Sequence, residues 1–451
     1  NGFKRKELCF RFPPEPNRYL HIGHVKAIAL NFELGIKYNA PVNLRFDDTN
    51  PVKENTHFVE EIKNNIKWLG YKWSKICYAS DYFEQLYQWA QYLIIHEKAY
   101  IDSQTSEQIA LQKGSPTEPG MNSPYRNRPK EESSRLFSEM REGKHIEGSH
   151  VLRAKINMDS QNMLMRDPVM YRILFKDHHR TGSDWCIYPM YDWAHGESDF
   201  IEGISHSLCT LEFKPHRDLY EWFLYQLPKQ KKQLPKQREF ARLNMSYTIM
   251  SKRKLSNLIE KKIVSSWDDP RMPTISGMIK RGYPPKALIN FVKKAGLTKR
   301  ENTIDVSLLE FYVREELNKK SPRVMVVTNE IKLVITNYPE GKQEKLMAIN
   351  NPEDESQGSR EIIFSKHLYI ERDDFKEVAN RKFFRLSIGK EVRLKNAYII
   401  KAESCIKDDK GEVLEIHCTY DSKSKSGSNS KESKRKVKGT IHWVDIKSSI
   451  D

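Results

Sequence analysis

Two histidines, His21 and His24, close the segment Pro13-Pro-Glu-Pro-Asn-Arg-Tyr-Leu-His-Ile-Gly-His24. If that segment is a strand-to-helix turn, its free backbone N–H groups and the positive end of the helix dipole face any anion placed there. Imidazoles three positions apart on a first helical turn project from one face and reach a single phosphate. Gly23, between them, has no Cβ and permits close approach of a flat ring such as adenine. Alone, the pair equally describes two surface histidines at a helix start. Met250-Ser-Lys-Arg-Lys254, far downstream on a loop before another helix, offers ammonium groups at Lys252 and Lys254 that can meet a leaving phosphate. Alone, it equally describes a solvated basic face. Asp47, in Arg45-Phe-Asp-Asp-Thr-Asn-Pro-Val-Lys-Glu54, reads by itself as a helix N-cap ahead of Pro51.

These groups need elements that hold them. Glu7–Phe12 reads as a buried strand halted by Pro13, Pro14 and Pro16, which cannot donate to a ladder. Apolar residues at 25, 28, 29, 32 and 36 recur at helical spacing, and Val42–Phe46 reads as a second strand. Strand, helix and strand in that order form a βαβ unit and imply a parallel sheet. Residues 81–184 read as a polar insertion, after which Cys186–Tyr191 and Ile204–Thr210 are expected to resume the parallel sheet. From 255 to 319 the pattern is helical, punctuated by prolines at 270, 273, 284 and 285. Beyond Pro322, short strands at Val324–Thr328, Lys332–Thr336, Glu361–Phe364, His367–Ile370, Val392–Leu394 and Ala397–Ile400 indicate an antiparallel barrel or sandwich. The Ser- and Lys-rich run 421–438 reads as a flexible loop, and Gly439–Val444 as a last strand with no closing element after it.

The chain has 451 residues, enough for about three domains at roughly 150 residues each. Its hydrophobic content, 38%, excludes wholesale disorder. A net charge of +16 favours a polyanionic partner, although a lysine-rich solvated surface produces the same figure. The six cysteines never fall two or three apart, which leaves zinc knuckles and thioredoxin-type pairs without support and fits a reduced, cytoplasmic chain. No apolar run approaches the roughly 18 residues that span a bilayer. The first residue is Asn1, so N-terminal sequence is expected to be missing.

His-Ile-Gly-His at the first strand-to-helix turn and Met-Ser-Lys after the sheet resemble the paired signature of class I aminoacyl-tRNA synthetases. Pro-Glu-Pro-Asn at 14–17, Arg45–Glu54, Tyr188-Pro-Met-Tyr-Asp192, His206–Phe213, Trp267–Thr274 and Lys436–Val444 are similar to the bacterial-type glutaminyl family, from Cys9 to Val444. The resemblance implies a Rossmann-like α/β catalytic domain in two halves, 1–80 and 185–254. It also implies an acceptor-stem-binding insertion at 81–184, a helical connector at 255–320 and an anticodon-binding antiparallel β-barrel at 321–451, with a second barrel missing or incomplete. The implied reaction forms glutaminyl-adenylate and pyrophosphate from glutamine and ATP with Mg²⁺, then aminoacylates the terminal 2′-hydroxyl of the tRNA. The implied catalytic residues are His21, His24 and Lys252. ATP contacts carry over to Glu15, Pro16, Asn17, His21, Ile22, Gly23, His24, Val25, Lys26, Ala27, Thr210, Arg242, Leu243, Met250, Ser251 and Lys252. Glutamine contacts carry over to Arg11, Asp47, Tyr191, His195 and Cys209, the last a neutral thiol where glutamate-charging relatives of eukaryotic and archaeal type carry Arg. The tRNA contacts are Thr298, Lys299, Arg300, Glu301, Asn302, Thr303, Ile304 and Asp305, with Arg323 and Arg385 toward the anticodon; these two also fit solvated strand charges.

No structural metal and no membrane is expected, and a monomer is. Three features depart from the family pattern: Arg18 in place of Gly, Pro215 in place of an acidic residue, and the early end of the barrel region. A glutamyl-tRNA synthetase and a non-catalytic tRNA-binding paralogue are the rival readings.

Overall fold

The computed structural model describes residues 2–52, 55–228 and 233–450, with Lys252 described by its backbone alone. The chain divides into two units, Asn1–Glu315 and Glu316–Asp451. Among the described residues no helix is long and apolar enough to cross a membrane.

The first unit opens with the expected βαβ motif. β1 (Phe10–Phe12) pairs in parallel with β2 (Val42–Phe46) through the crossover helix α1 (Ile22–Tyr38). After α2 (Thr56–Trp68), β3 (Ile76–Tyr78) adds to the far side of β2. β1 is shorter than the apolar run suggested because Arg5–Glu7 wind into a 3-10 turn. α1 packs directly onto the sheet at Gly35, where a Cβ would collide with the Val42 side chain.

α3 (Phe83–Ile95), β4 (Ala99–Asp102), α4 (Ser106–Gln112), α5 (Lys130–Arg141), β5 (Val151–Ala154), β6 (Val169–Ile173) and β7 (Ile187–Pro189) follow. β4 to β7 form an antiparallel sheet in chain order. This corrects one expectation: the strand at 186–191 pairs with β6 and does not rejoin the parallel layer. Its apolar alternation fits either sheet, and the partner is set by the segment 174–186, which doubles back on itself: Leu174 N–H donates to Cys186 O, and His178 and Gly182 exchange backbone hydrogen bonds, so the chain returns antiparallel along β6. The parallel layer resumes one strand later. α6 (Tyr191–Glu202) leads into β8 (His206–Thr210), which is tied to β1 through Ser205 N–H to Cys9 O at 2.9 Å. After α7 (Arg217–Gln226), β9 (Lys236–Phe240) pairs with β8 in parallel. One apolar core contains Phe83, Phe137, Tyr171, Ile187, Trp193 and Phe223, so the antiparallel sheet, α6 and α7 are packed as one body.

β10 (Asn244–Met245), α8 (Lys252–Glu260), α9 (Ile275–Lys280), α10 (Pro285–Ala295), β11 (Thr303–Ile304) and α11 (Val306–Lys320) complete the helical stretch. β10 and β11 pair in parallel.

In the second unit β12 (Glu330–Ile335), β13 (Glu344–Ile349), β14 (Ser359–Phe364), β15 (His367–Glu371), β16 (Glu391–Leu394), β17 (Ile399–Lys407), β18 (Val413–Tyr420), β19 (Thr440–Ile441) and β20 (Val444–Asp445) form a hairpin, β13–β14, and a seven-stranded sheet. The sheet order is β19-β16-β17-β18-β12-β15-β20, mostly antiparallel, and its two edge strands do not pair with each other. Residues from most of these strands, among them Leu333, Phe364, Leu368, Val392, Ile400, Ile416 and Trp443, meet in one core, so the sheet wraps around its own apolar face without closing. Val324–Thr328 is not a strand. Val324 and Val326 are exposed, and the following turn is held by Glu371, which accepts from Thr328 N–H and Asn329 N–H. The Ser- and Lys-rich run 421–438 is a loop, but one tied down: Arg393 donates to the carbonyls of Ser424 and Ser433, and the buried Ser424 hydroxyl accepts from Ile399 N–H.

Candidate active site

The turn between β1 and α1 brings the two separated motifs together. His21 is the N-cap of α1, its Nδ1 accepting from Gly23 N–H at 3.0 Å, while His24 Nδ1 accepts from His21 N–H at 3.0 Å. With both Nδ1 atoms acting as acceptors, each neutral ring carries its proton on Nε2. The ring centroids are 4.0 Å apart. Burial, then the charge of Arg18, pushes His21 down to about 4, and burial with the neighbouring His21 holds His24 well below its usual value. At neutral pH the pair is therefore two uncharged N–H donors at a helix N-terminus, suited to an anion.

A Cβ on Gly23 would stand 2.7 Å from the His21 ring and 3.1 Å from Met250 Cε. The glycine is needed for the capping imidazole as well as for any ligand, and the Met-Ser-Lys motif lies against it. Pro273 and Thr274 complete the wall: Ile22 N–H donates to Pro273 O and Ile275 N–H to Leu20 O. Ser251 caps α8, whose first residue is Lys252; the Lys252 side chain lies outside the described residues.

The remaining candidate nucleotide residues divide by what they offer. Glu15 is exposed and accepts from the Asn17 amide at 2.5 Å, and the Pro16 carbonyl accepts from Asn55 N–H. Ile22 and Val25 are wholly buried in the core, so only their backbone is available, and Ala27 follows them on α1. Lys26 is also buried, its ammonium bound to Ala241 O at 2.7 Å. Thr210 bonds Glu212, Leu243 is buried, and Arg242 lies 3.7 Å from Glu301. That last contact joins the candidate nucleotide segment to the candidate tRNA turn. The turn is stitched on further by Ala241 N–H to Thr298 O and Ser246 N–H to Ile304 O, and it ends at Asp305, which accepts from Ser307 N–H at the start of α11. Lys299, Arg300, Glu301, Asn302 and Thr303 are exposed on it.

Beneath the C-terminal ends of β1, β2 and β8 lies a buried ionic network. Arg11 donates to Asp199 at 3.0 Å, to Ser207 Oγ at 2.6 Å and to Leu208 O. Arg45 donates to Asp199 at 2.7 Å and to Asp47 at 2.9 Å. His195 lies between them, 3.1 Å from each guanidinium. Burial pushes the Asp47 carboxyl up, but Arg45 and His195 outweigh it, and the net shift is downward. Asp47 is thus an ionised carboxylate, and it caps no helix, since Asn55 caps α2. Its loop is clasped from behind. Asp48 accepts from Ser80 N–H and Oγ and from His179, while His178 Nε2 bonds Asp48 O at 2.7 Å and His178 Nδ1 accepts from Arg180 N–H. Asp48, His178 and His179 have metal-ligand spacing. Those existing bonds already engage both His178 nitrogens, so the group fits a polar clasp better than an ion.

A small cavity beside Asp47 is lined by Tyr191, His195, Cys209, Phe213, His216 and Gln237, among others. Tyr191 stacks on His195 with centroids 4.9 Å apart, and burial followed by the Asp47 charge keeps its phenol protonated. Burial pushes the Cys209 thiol up to about 12, so it too is neutral. Of the two histidines in this lining, His216 is bonded to Asp192 at 2.6 Å and His195 lies between Arg11 and Arg45. Arg45, Asp199, Ser207 and Gln237 were not among the sequence candidates. For the two charged residues a signal existed: each interrupts or adjoins an apolar buried run, where a charge demands a buried partner.

In the second unit, Arg323 is occupied by the carbonyls of Ser321 and Asn318, whereas Arg385 is half-exposed and pairs with Asp374 at 2.9 Å.

With the turn after β1, the Met-Ser-Lys loop against it and the buried carboxylate of Asp47 described, two family models match the chain. Residues 7–319 match the class I tRNA synthetase (E and Q) catalytic domain and residues 321–421 the corresponding anti-codon binding domain. The chain belongs to the class I tRNA synthetases for glutamate and glutamine. Among individual relatives, it is 55% identical over 447 residues to a glutamine–tRNA ligase of Clostridium perfringens, covering 99% of this chain and 80% of the relative. It is also 55% identical over 443 residues to one of Psychromonas ingrahamii, covering 98% and 79%. A crystal structure of a glutamate tRNA ligase from Elizabethkingia meningosepticum in complex with its amino acid shares the fold, with a TM-score of 0.51 at 19% identity over 70% of each chain.

Proposed function

We propose that the chain activates L-glutamine with ATP and attaches it to the tRNA that decodes glutamine. The observation that carries the choice of amino acid is the cavity beside Asp47, where an ionised carboxylate faces a neutral phenol and a neutral thiol. Asp47 takes the substrate ammonium, and the Tyr191 hydroxyl both donates to and accepts from the side-chain amide. Glutamate would bring a second carboxylate into a wall whose described cations are already paired, and an unpaired buried carboxylate is costly. Relatives named glutamine–tRNA ligase at 55% identity support the same reading.

In the first step a glutamine carboxylate oxygen bonds to the α-phosphorus of ATP, the bond to the bridging oxygen breaks, and pyrophosphate leaves. The Nε2–H groups of His21 and His24 donate to the phosphates, Lys252 meets the departing pyrophosphate, and Mg²⁺ enters with the nucleotide as part of the substrate. The terminal 2′-hydroxyl of the tRNA then takes the aminoacyl group and releases AMP. In this reading residues 81–184 hold the acceptor end, the 298–305 turn lies inside the tRNA L, and the second unit reads the anticodon with Arg385 facing it. Arg323, engaged by backbone carbonyls, shapes that surface from beneath. The enzyme acts as a monomer in the cytoplasm.

The test is charging of the cognate tRNA by the purified chain with each amino acid in turn. Glutaminyl-tRNA with glutamine and no product with glutamate supports the reading; glutamyl-tRNA as the main product rejects it.

A further inference from the structure

Arg18 lies in the turn between β1 and α1, partly buried, with its neighbours held on both sides. Asn17 N–H donates to Glu15 O at 2.9 Å, and the Tyr19 ring stacks on Trp267 while its hydroxyl meets His57 at 2.9 Å. The backbone is thus fixed, yet among the described residues the guanidinium has neither a hydrogen bond nor an ion pair. Its charge acts on both His21 and His24, although burial is the larger influence on each ring. A partly desolvated guanidinium without a counter-charge is unfavourable, and its planar fork of N–H donors suits phosphate oxygens. The imidazoles beside it already present two uncharged donors at the N-terminus of α1, so the turn holds one full positive charge with no partner among the described residues.

We propose that Arg18 binds the triphosphate of ATP alongside His21 and His24, supplying the positive charge that the two neutral imidazoles lack. This rests on reading the turn as the nucleotide site. Arg18 is then a direct substrate contact whose removal weakens ATP and leaves the nucleoside untouched.

Equilibrium binding of ATP and of adenosine, without tRNA, to the full chain and to its Arg18→Gln and Arg18→Lys variants tests this. Arg18→Gln is expected to weaken ATP on the order of 10-fold, since a charge-assisted hydrogen bond is lost. Arg18→Lys should recover part of the loss, adenosine binding should not change, and the salt dependence of ATP binding should fall in Arg18→Gln. The melting temperature should hold, because the side chain has no partner among the described residues. Unchanged ATP affinity in Arg18→Gln overturns the proposal. So does an equal loss for adenosine, which would place the side chain on the base, and so does weakened tRNA binding with ATP affinity intact, which would assign it to RNA phosphates. If the unaltered chain binds adenosine but shows no preference for ATP, the reading of the turn as a triphosphate site falls, and the proposal with it.

Discussion

Glu197 offers a sharp test of how the amino-acid helix is built. It lies on α6 between His195 and Asp199, wholly buried, and among the described residues neither carboxyl oxygen has a hydrogen-bond partner. The Trp193 indole N–H, one turn away on the same face, and the Tyr171 hydroxyl are likewise buried and, among the described residues, make no well-formed hydrogen bond, although the indole is close enough to act on the phenol. Burial holds the Glu197 carboxyl neutral, well above its usual range, with Asp199 adding to the effect. A buried polar group without a partner costs about 1 to 3 kcal/mol. Glu197→Leu removes that cost and adds apolar contact in a core of Phe and Trp side chains, so a gain of about 2 kcal/mol is expected in the first unit. The pH dependence has a definite sign. An acid whose folded value is raised is more ionised when unfolded, so wild-type stability falls as pH rises from about 4.5 toward the folded value. Glu197→Leu should lose that part of the slope. Urea unfolding at pH 5 and pH 8, with glutamine-dependent pyrophosphate exchange as a control on the site, measures both. A variant less stable than wild type at both values would refute the reasoning and show that Glu197 is bonded, through internal water, to Trp193 and Tyr171.

Three further outcomes follow from the same geometry. Asp199→Asn leaves Arg11 and Arg45 without their shared counter-charge and should cost about 3 to 5 kcal/mol in denaturant unfolding, with glutamine activation lost in parallel. Gly23→Ala puts a methyl against the His21 ring and Met250; overpacking of this kind costs about 1 to 3 kcal/mol, so a melting temperature lowered by a few degrees should accompany a raised KM for ATP. His21, lowered to about 4, makes stability complete above pH 6.5 and progressively lost as pH falls from 6.5 through 4; ¹⁵N NMR of the histidines should show a neutral ring with its proton on Nε2 at pH 6.

Local chemistry explains what the sequence made legible. Apolar residues at helical spacing mark α1, and the proline run ends β1, because both signals act within one element. The His-Ile-Gly-His and Met-Ser-Lys segments were readable as a pair, and Gly23 against Met250 gives that pairing a physical contact. What was missed depends on partners far away in the chain. β7 alternates as either kind of strand and is assigned by its neighbour β6, and Val324–Thr328 has strand-like composition but no ladder partner. The Arg11–Asp199–Arg45–Asp47 network draws on β1, β2 with the loop after it, and α6. Arg11 and Arg45 each stand inside an apolar strand run, a visible anomaly, but nothing local says that Asp199 answers both.

If a cavity with no free cation among its described lining residues selects glutamine, the selection is read in kcat/KM for glutamine against glutamate, measured on the wild type and on Cys209→Arg. The wild type should favour glutamine on the order of 1000-fold, because glutamate must bury an unpaired carboxylate, and a guanidinium at position 209 should collapse that preference, chiefly by weakening glutamine. Comparable wild-type kcat/KM values for the two amino acids, or an unchanged ratio in Cys209→Arg, would contradict the account.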